Sequence, residues 1–107
     1  MRRGDMVTVA LQGDYRKPRP ALVIQSDHFA ETGTVSVLLL SGTLIHAPFI
    51  RVTVQPYPGN GLLKPSQVMV DKIMTLQQSK LNPPFGRLNG ETMLAVTRSL
   101  AVFLAVA

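Results

Sequence analysis

Hydrophobic and polar residues alternate with a period of two in three stretches of the chain. Met6 to Leu11 sets Val7, Val9 and Leu11 on one face and Met6, Thr8 and Ala10 on the other. Thr34 to Leu40 sets Val35, Val37 and Leu39 opposite Thr34, Ser36 and Leu38. Phe49 to Val54 sets Ile50, Val52 and Val54 against Arg51 and Thr53. Such alternation predicts strands. Ala21 to Gln25 is instead a continuous apolar run between Pro20 and Ser26-Asp27, which predicts a buried strand. Leu62-Leu63-Lys64 and Gln67 to Met74 predict two further extended pieces. Pro65 separates them, because proline cannot donate to a ladder.

Two segments carry a helical pattern. Leu76 to Leu81 predicts a short helix that Asn82-Pro83-Pro84 ends. Asn89 predicts an N-cap, followed by a last helix from Gly90 to about Val106. Met93, Val96, Leu100 and Phe103 fall on one face of it, the face that packs on a core. Glu91, Arg98 and Ser99 fall on the more polar face. Five to seven short strands and one terminal helix give a mainly β fold, a compact and strongly curved barrel.

The chain has 107 residues, which suits one domain (1–107) around one core, and 46% of them are hydrophobic. It has 8 Gly and 8 Pro, a density of turn residues that favours short strands over long helices. With no cysteine, disulfides, thiolate nucleophiles and zinc–thiolate sites are excluded, and a cytoplasmic location is expected. The charged start Met1-Arg2-Arg3-Gly4-Asp5 does not read as a secretory signal, and the apolar tail from Leu100 to Ala107 is far short of a membrane span. A net charge of +5 directs attention to polyanions, either nucleic acid or an acidic protein.

Several kinds of chemistry lack their motifs. There is no Gly-x-Gly-x-x-Gly or phosphate-binding loop and no Gly-x-Ser-x-Gly elbow. His28 and His46 do not form a spaced pair, so no metal and no cofactor is expected. Six aromatic residues are too few for the stacking platform of an RRM. Polar and basic residues at strand ends remain.

Three segments in order carry a resemblance: Arg3-Gly4-Asp5-Met6-Val7, then Lys17-Pro18-Arg19-Pro20-Ala21-Leu22-Val23-Ile24, then Gly61-Leu62-Leu63-Lys64-Pro65-Ser66-Gln67-Val68 leading into Asp71-Lys72-Ile73. Between them lie Val35 to Leu40, Ser41-Gly42-Thr43 and Ala47-Pro48-Phe49. With this order and spacing the chain resembles the MazF/PemK/Kid family of toxin–antitoxin ribonucleases. The resemblance implies an SH3-like barrel with a C-terminal helix and a homodimer. It implies metal-free cleavage of single-stranded RNA at short sequences, and silencing by an acidic antitoxin in the RNA groove.

Cleavage through the 2′-hydroxyl needs a base, a cation for the phosphorane and an acid for the 5′-oxygen. Arg19, stiffened between two prolines, is the leading candidate for the cation, since a guanidinium holds two phosphate oxygens at once. Ser41 and Thr43 are candidate hydrogen-bond donors, or plain turn residues. Asp14 is a candidate base through the resemblance. Lys64, Ser66 and Gln67 fall where Kid-type members carry Arg-x-Asp-Gln, so lysine and serine replace the arginine and aspartate. Gln67 is read as a base-edge reader or an exposed strand residue, and His46 as a groove residue with a suitable pKa. Arg16, Lys17, Arg51 and Lys72 complete an electrostatic path for RNA. Two alternatives remain on the same barrel: a gyrase poison resembling CcdB, disfavoured by the absence of Trp and the Ala105-Val106-Ala107 end, and an RNA-binding barrel without catalysis.

Overall fold

A computed structural model describes residues 1–11 and 17–107. Six strands form one antiparallel sheet: β1 (Asp5–Val9), β2 (Arg19–Val23), β3 (Thr34–Ser41), β4 (Arg51–Val54), β5 (Ser66–Gln77) and β6 (Gly86–Arg87). Their order across the sheet is β4-β5-β3-β2-β1-β6, and one helix, α1 (Gly90–Phe103), follows.

Because side chains alternate between faces, the strands carry two apolar sets. Met6, Leu22, Leu38, Leu40, Val68 and Val70 lie on the face covered by Val96 of α1. Val7, Val9, Ala21, Val23, Val35, Val37 and Met69 form the second set. A sheet buried on both faces has to curl, and β5 supplies the bend. Leu38 pairs with Ile73 and Leu40 with Val68, so four residues of β5, Met69 to Lys72, stand against Leu39 alone. Extra residues on one strand raise its twist and bend it. The curl brings the chain after β5 onto the open side of β1. Leu81 bridges Val9, the Asn82 N–H donates to the Thr8 carbonyl (3.0 Å), and the Phe85 N–H to the Met6 carbonyl (2.8 Å).

The barrel and terminal helix agree with the sequence pattern, and four details differ. Residues 62–64 are not a strand; Asn60, fully buried, accepts from the Leu62 N–H (3.0 Å) and donates to the Gln55 carbonyl (3.0 Å), fixing this stretch as a loop. The expected helix over 76–81 is the end of β5, where Val35 pairs with Leu76, followed by one 3-10 turn at Gln78–Lys80. The short β6 was not anticipated. The last helix ends at Phe103, and Phe103 is substantially exposed, whereas Met93, Val96 and Leu100 pack on the core. Asn89 caps α1 as expected, accepting from the Thr92 N–H at 2.8 Å.

Candidate nucleic-acid interface

Sheet register pairs two candidate residues and strand alternation puts a third on their face. The β2–β3 ladder runs Val23↔Val37, Leu22↔Leu38, Ala21↔Leu39. Arg19 lies two residues before Ala21 in β2, and Ser41 two residues after Leu39 in β3, beyond the last pair of this ladder. Ser41 pairs with Gln67. Directly opposed residues share a face, as do residues two apart in one strand, so Arg19, Ser41 and Gln67 lie on the side of Ala21, Leu39 and Met69, at the end of that apolar set. Arg19 opens β2, is partly exposed, and pairs with Val9. Pro20 fits there because the β2–β3 ladder begins only at Ala21.

The loop after β3 is built on Ser41 and Gln67. The Thr43 N–H donates to Ser41 Oγ (3.0 Å), and Ser41 Oγ lies 3.3 Å from the Thr43 carbonyl as a donor. Gln67 holds the loop two residues further on. Its Oε1 accepts from the Ile45 N–H (3.1 Å), and its Nε2 donates to the Ile45 carbonyl (3.0 Å) and to Thr53 Oγ1 (3.1 Å). Gln67 is only 4% exposed, so it is not the exposed strand residue the pattern suggested, and its amide is occupied within the protein. Thr43 and His46 are exposed on the loop so formed.

Lys64 arches over the same turn. A β-carbon added at Gly42 would stand 3.1 Å from both its Cε and Nζ. Ser66, 7% exposed, donates from Oγ to the Lys64 carbonyl (3.2 Å), so it braces the lysine's backbone. Lys17 is exposed two residues before Arg19. Asp14 and Arg16 lie outside the described residues.

Arg51 stands opposite Met69, two residues before Thr53 in β4, and both Arg51 and Lys72 meet Asp71. Arg51 is ion-paired with Asp71 at the bulge of β5, and Lys72 Nζ is 3.5 Å from the other Asp71 oxygen. Burial pushes the Asp71 carboxyl up, but the hydrogen bond and charge of Arg51, the Asp71 backbone N–H and the Lys72 charge outweigh it. The net pKa therefore lies below the ordinary aspartate value. The reading of Arg51 as a cation reserved for an RNA path omitted Asp71, which was legible only once β4 and β5 were known to be neighbours. Among the described residues, no three His, Asp or Glu side chains converge to hold a metal.

A second surface lies beside the start of β4, an edge strand of the sheet. Pro48, Phe49, Arg98, Ser99 and Val102 line a shallow groove between the start of β4 and α1, with Phe49 79% exposed. Val102, Phe103, Leu104 and Val106, at and beyond the end of the helix, are exposed as well.

A curled six-stranded barrel with one covering helix and a rim of arginine, lysine and hydroxyls defines a small basic barrel protein. Residues 2–104 match the family of PemK-like, MazF-like toxins of type II toxin–antitoxin systems, and the chain belongs to that family. It is 42% identical over 108 residues to a probable endoribonuclease MazF of Mycolicibacterium smegmatis, covering 100% of this chain and 99% of that one. Among solved structures, it superposes on Mycobacterium tuberculosis toxin MazF-mt6 with a TM-score of 0.79 (22% identity, 94% of this chain and 96% of that one). A MazE–MazF structure from Deinococcus radiodurans gives a TM-score of 0.77 (21% identity, 98% and 96%). The last two likenesses speak to the fold.

Proposed function

We propose that this protein is the toxin of a type II toxin–antitoxin pair, an endoribonuclease that cuts single-stranded RNA in the cytoplasm and thereby arrests growth. The observation that carries the reading is that Arg19 opens β2 and Ser41 closes its neighbour β3 at the same end of that strand pair, with Lys64 over the adjoining turn, in a chain of the toxin family. Arg19 binds the scissile phosphate and stabilises the charge that develops on it. Lys64 adds a second cation where Kid-type members have arginine. The exposed Thr43 hydroxyl donates to a phosphate oxygen. The base is Asp14 or His46; Ser66 is a poor one and is turned to a backbone carbonyl. Attack of the 2′-oxygen on phosphorus expels the 5′-oxygen and leaves a 2′,3′-cyclic phosphate, with the proton moved by these side chains and without a metal.

The exposed apolar residues Phe49, Val102 and those at the end of α1 support a homodimer through a self-complementary contact. The net charge of +5 supports an acidic antitoxin that competes with RNA. The test is incubation of the pure protein with RNA in EDTA. Discrete cuts that disappear in Arg19→Ala support the reading; binding without cuts overturns the enzymatic part of it.

A further inference from the structure

The 42–46 loop owes its shape to two side chains that oppose each other across β3 and β5. Ser41 holds the Thr43 backbone and Gln67 holds the Ile45 backbone, N–H and carbonyl together. A side-chain amide that takes both polar groups of one residue replaces the neighbouring strand that the loop lacks. The donors and acceptors match: carbonyl oxygen to N–H, amide N–H to carbonyl. The clamp sits at every second residue, so Gly42, Leu44 and His46 are left between and beyond the clamped positions. Leu44 and His46 are exposed, and Lys64 covers Gly42.

We infer that Gln67 is a positioning residue for RNA recognition: buried beneath the loop, it fixes the wall that Thr43, Leu44 and His46 present to the substrate. The inference deepens the ribonuclease reading and rests on it. Gln67 touches no RNA. It removes the conformational freedom that the loop otherwise loses on binding, so its loss weakens binding and relaxes sequence choice more than it slows the chemical step. The burial of Gln67 carries this assignment, since an amide meant for a base edge cannot be 4% exposed with its oxygen and nitrogen already committed.

The experiment compares wild type with Gln67→Ala, Gln67→Glu and Thr53→Val. Glutamate keeps the acceptor for the Ile45 N–H but loses the donor to the Ile45 carbonyl. Thr53→Val removes only the third bond of the amide and leaves both loop bonds. Three quantities are read: hydrogen exchange of the Ile45 amide, KM and kcat on an RNA with one cleavage site, and Kd for a 2′-O-methyl strand of the same sequence, which cannot be cut. Gln67→Ala is expected to raise KM and Kd about tenfold, speed Ile45 exchange and add secondary cuts, with kcat changed less than about threefold. Gln67→Glu falls between it and wild type, and Thr53→Val behaves as wild type.

Unchanged KM, Kd and cut pattern in a folded Gln67→Ala with fast Ile45 exchange overturns the inference. A loss confined to kcat does so too. Should Gln67→Ala fail to fold, Gln67→Glu decides on the same readouts. A wild type that binds the 2′-O-methyl strand without cutting RNA sinks the enzymatic reading alone, and Kd then judges the clamp. A wild type that neither binds nor cuts overturns both.

Discussion

The ammonium arm of Lys64 lies against Gly42, with Nζ and Cε each 3.1 Å from the position a β-carbon would take. Gly42 does not have a positive φ, so alanine meets no backbone strain there. The added methyl instead pushes the lysine off the turn. Gly42→Ala is therefore expected to keep its melting temperature within about 2 °C of wild type while RNA affinity falls severalfold. Lys64→Ala lowers affinity to a similar extent, and the double variant is no worse than either single one, because both changes remove the same cation from the same place. A double-mutant cycle on RNA binding checks this.

Arg51 and Asp71 anchor the bulge of β5, with side chains only 11% and 19% exposed. Asp71→Asn leaves the guanidinium without its carboxylate and is expected to cost about 1–3 kcal/mol of stability, with little effect on RNA cleavage at neutral pH. Urea unfolding and an RNA assay on the same sample separate the two.

The same pair sets a pH dependence. Asp71 has a folded pKa below its unfolded one, so its contribution is fully present above the unfolded value, about 3.9, and is lost as pH falls through the lower folded value. Wild type is expected to hold its stability from neutral pH down to about 5 and lose it below about 4. In Asp71→Asn that acid loss is smaller. Urea midpoints measured from pH 3 to pH 7 check the sign, and a larger acid loss in the variant refutes it.

Arg19 is expected to be the least replaceable residue of the rim. Arg19→Ala removes about a hundredfold or more from cleavage without unfolding the barrel. Arg19→Lys does not restore the rate, since an ammonium cannot hold two phosphate oxygens in one plane. Kinetics on a single-site RNA, with circular dichroism as the folding control, test both statements.

Gly61 combines a positive φ with a close approach of neighbouring backbone. Its φ is +76°, and a β-carbon there would stand 2.6 Å from the Phe85 carbonyl oxygen. Gly61→Ala is expected to destabilise the protein by about 2 kcal/mol or more, through strain and displacement of Phe85. A thermal melt that matches wild type contradicts this.

The sequence reveals elements better than contacts. Alternation located β1 and β3, whose two faces serve the two apolar sets, and β4, where Val52 and Val54 face one set and Arg51 and Thr53 the other way. Asn89 gave the start of α1 because a cap is a local interaction. The continuation of β5 to Gln77 was hidden, since Leu76 and Gln77 are held by pairing with Val35 and Thr34, far away in the chain. The two-residue β6 was hidden as well: it exists only where β1 offers an edge.

Of the candidate residues, Arg19, Ser41 and Lys64 were legible as polar positions at strand ends. Gln67 was legible as a position but not as a role. Its burial depends on a loop 22 residues earlier in the chain, and no local pattern reports that. Arg51 shows the same limit, because its partner Asp71 lies across a strand pair rather than along the sequence.

The lashing of β1 has a consequence for synthesis. Residues 5–9 are completed only when residues 81–87 arrive on their open side, and the Arg3 guanidinium reaches Thr97 Oγ1 in α1 at 2.7 Å. A chain still being translated cannot complete the outer edge of β1 until residues 81–87 have emerged. The outer edge of β1 is thus the last sheet edge to find its partner, although its residues are among the first made.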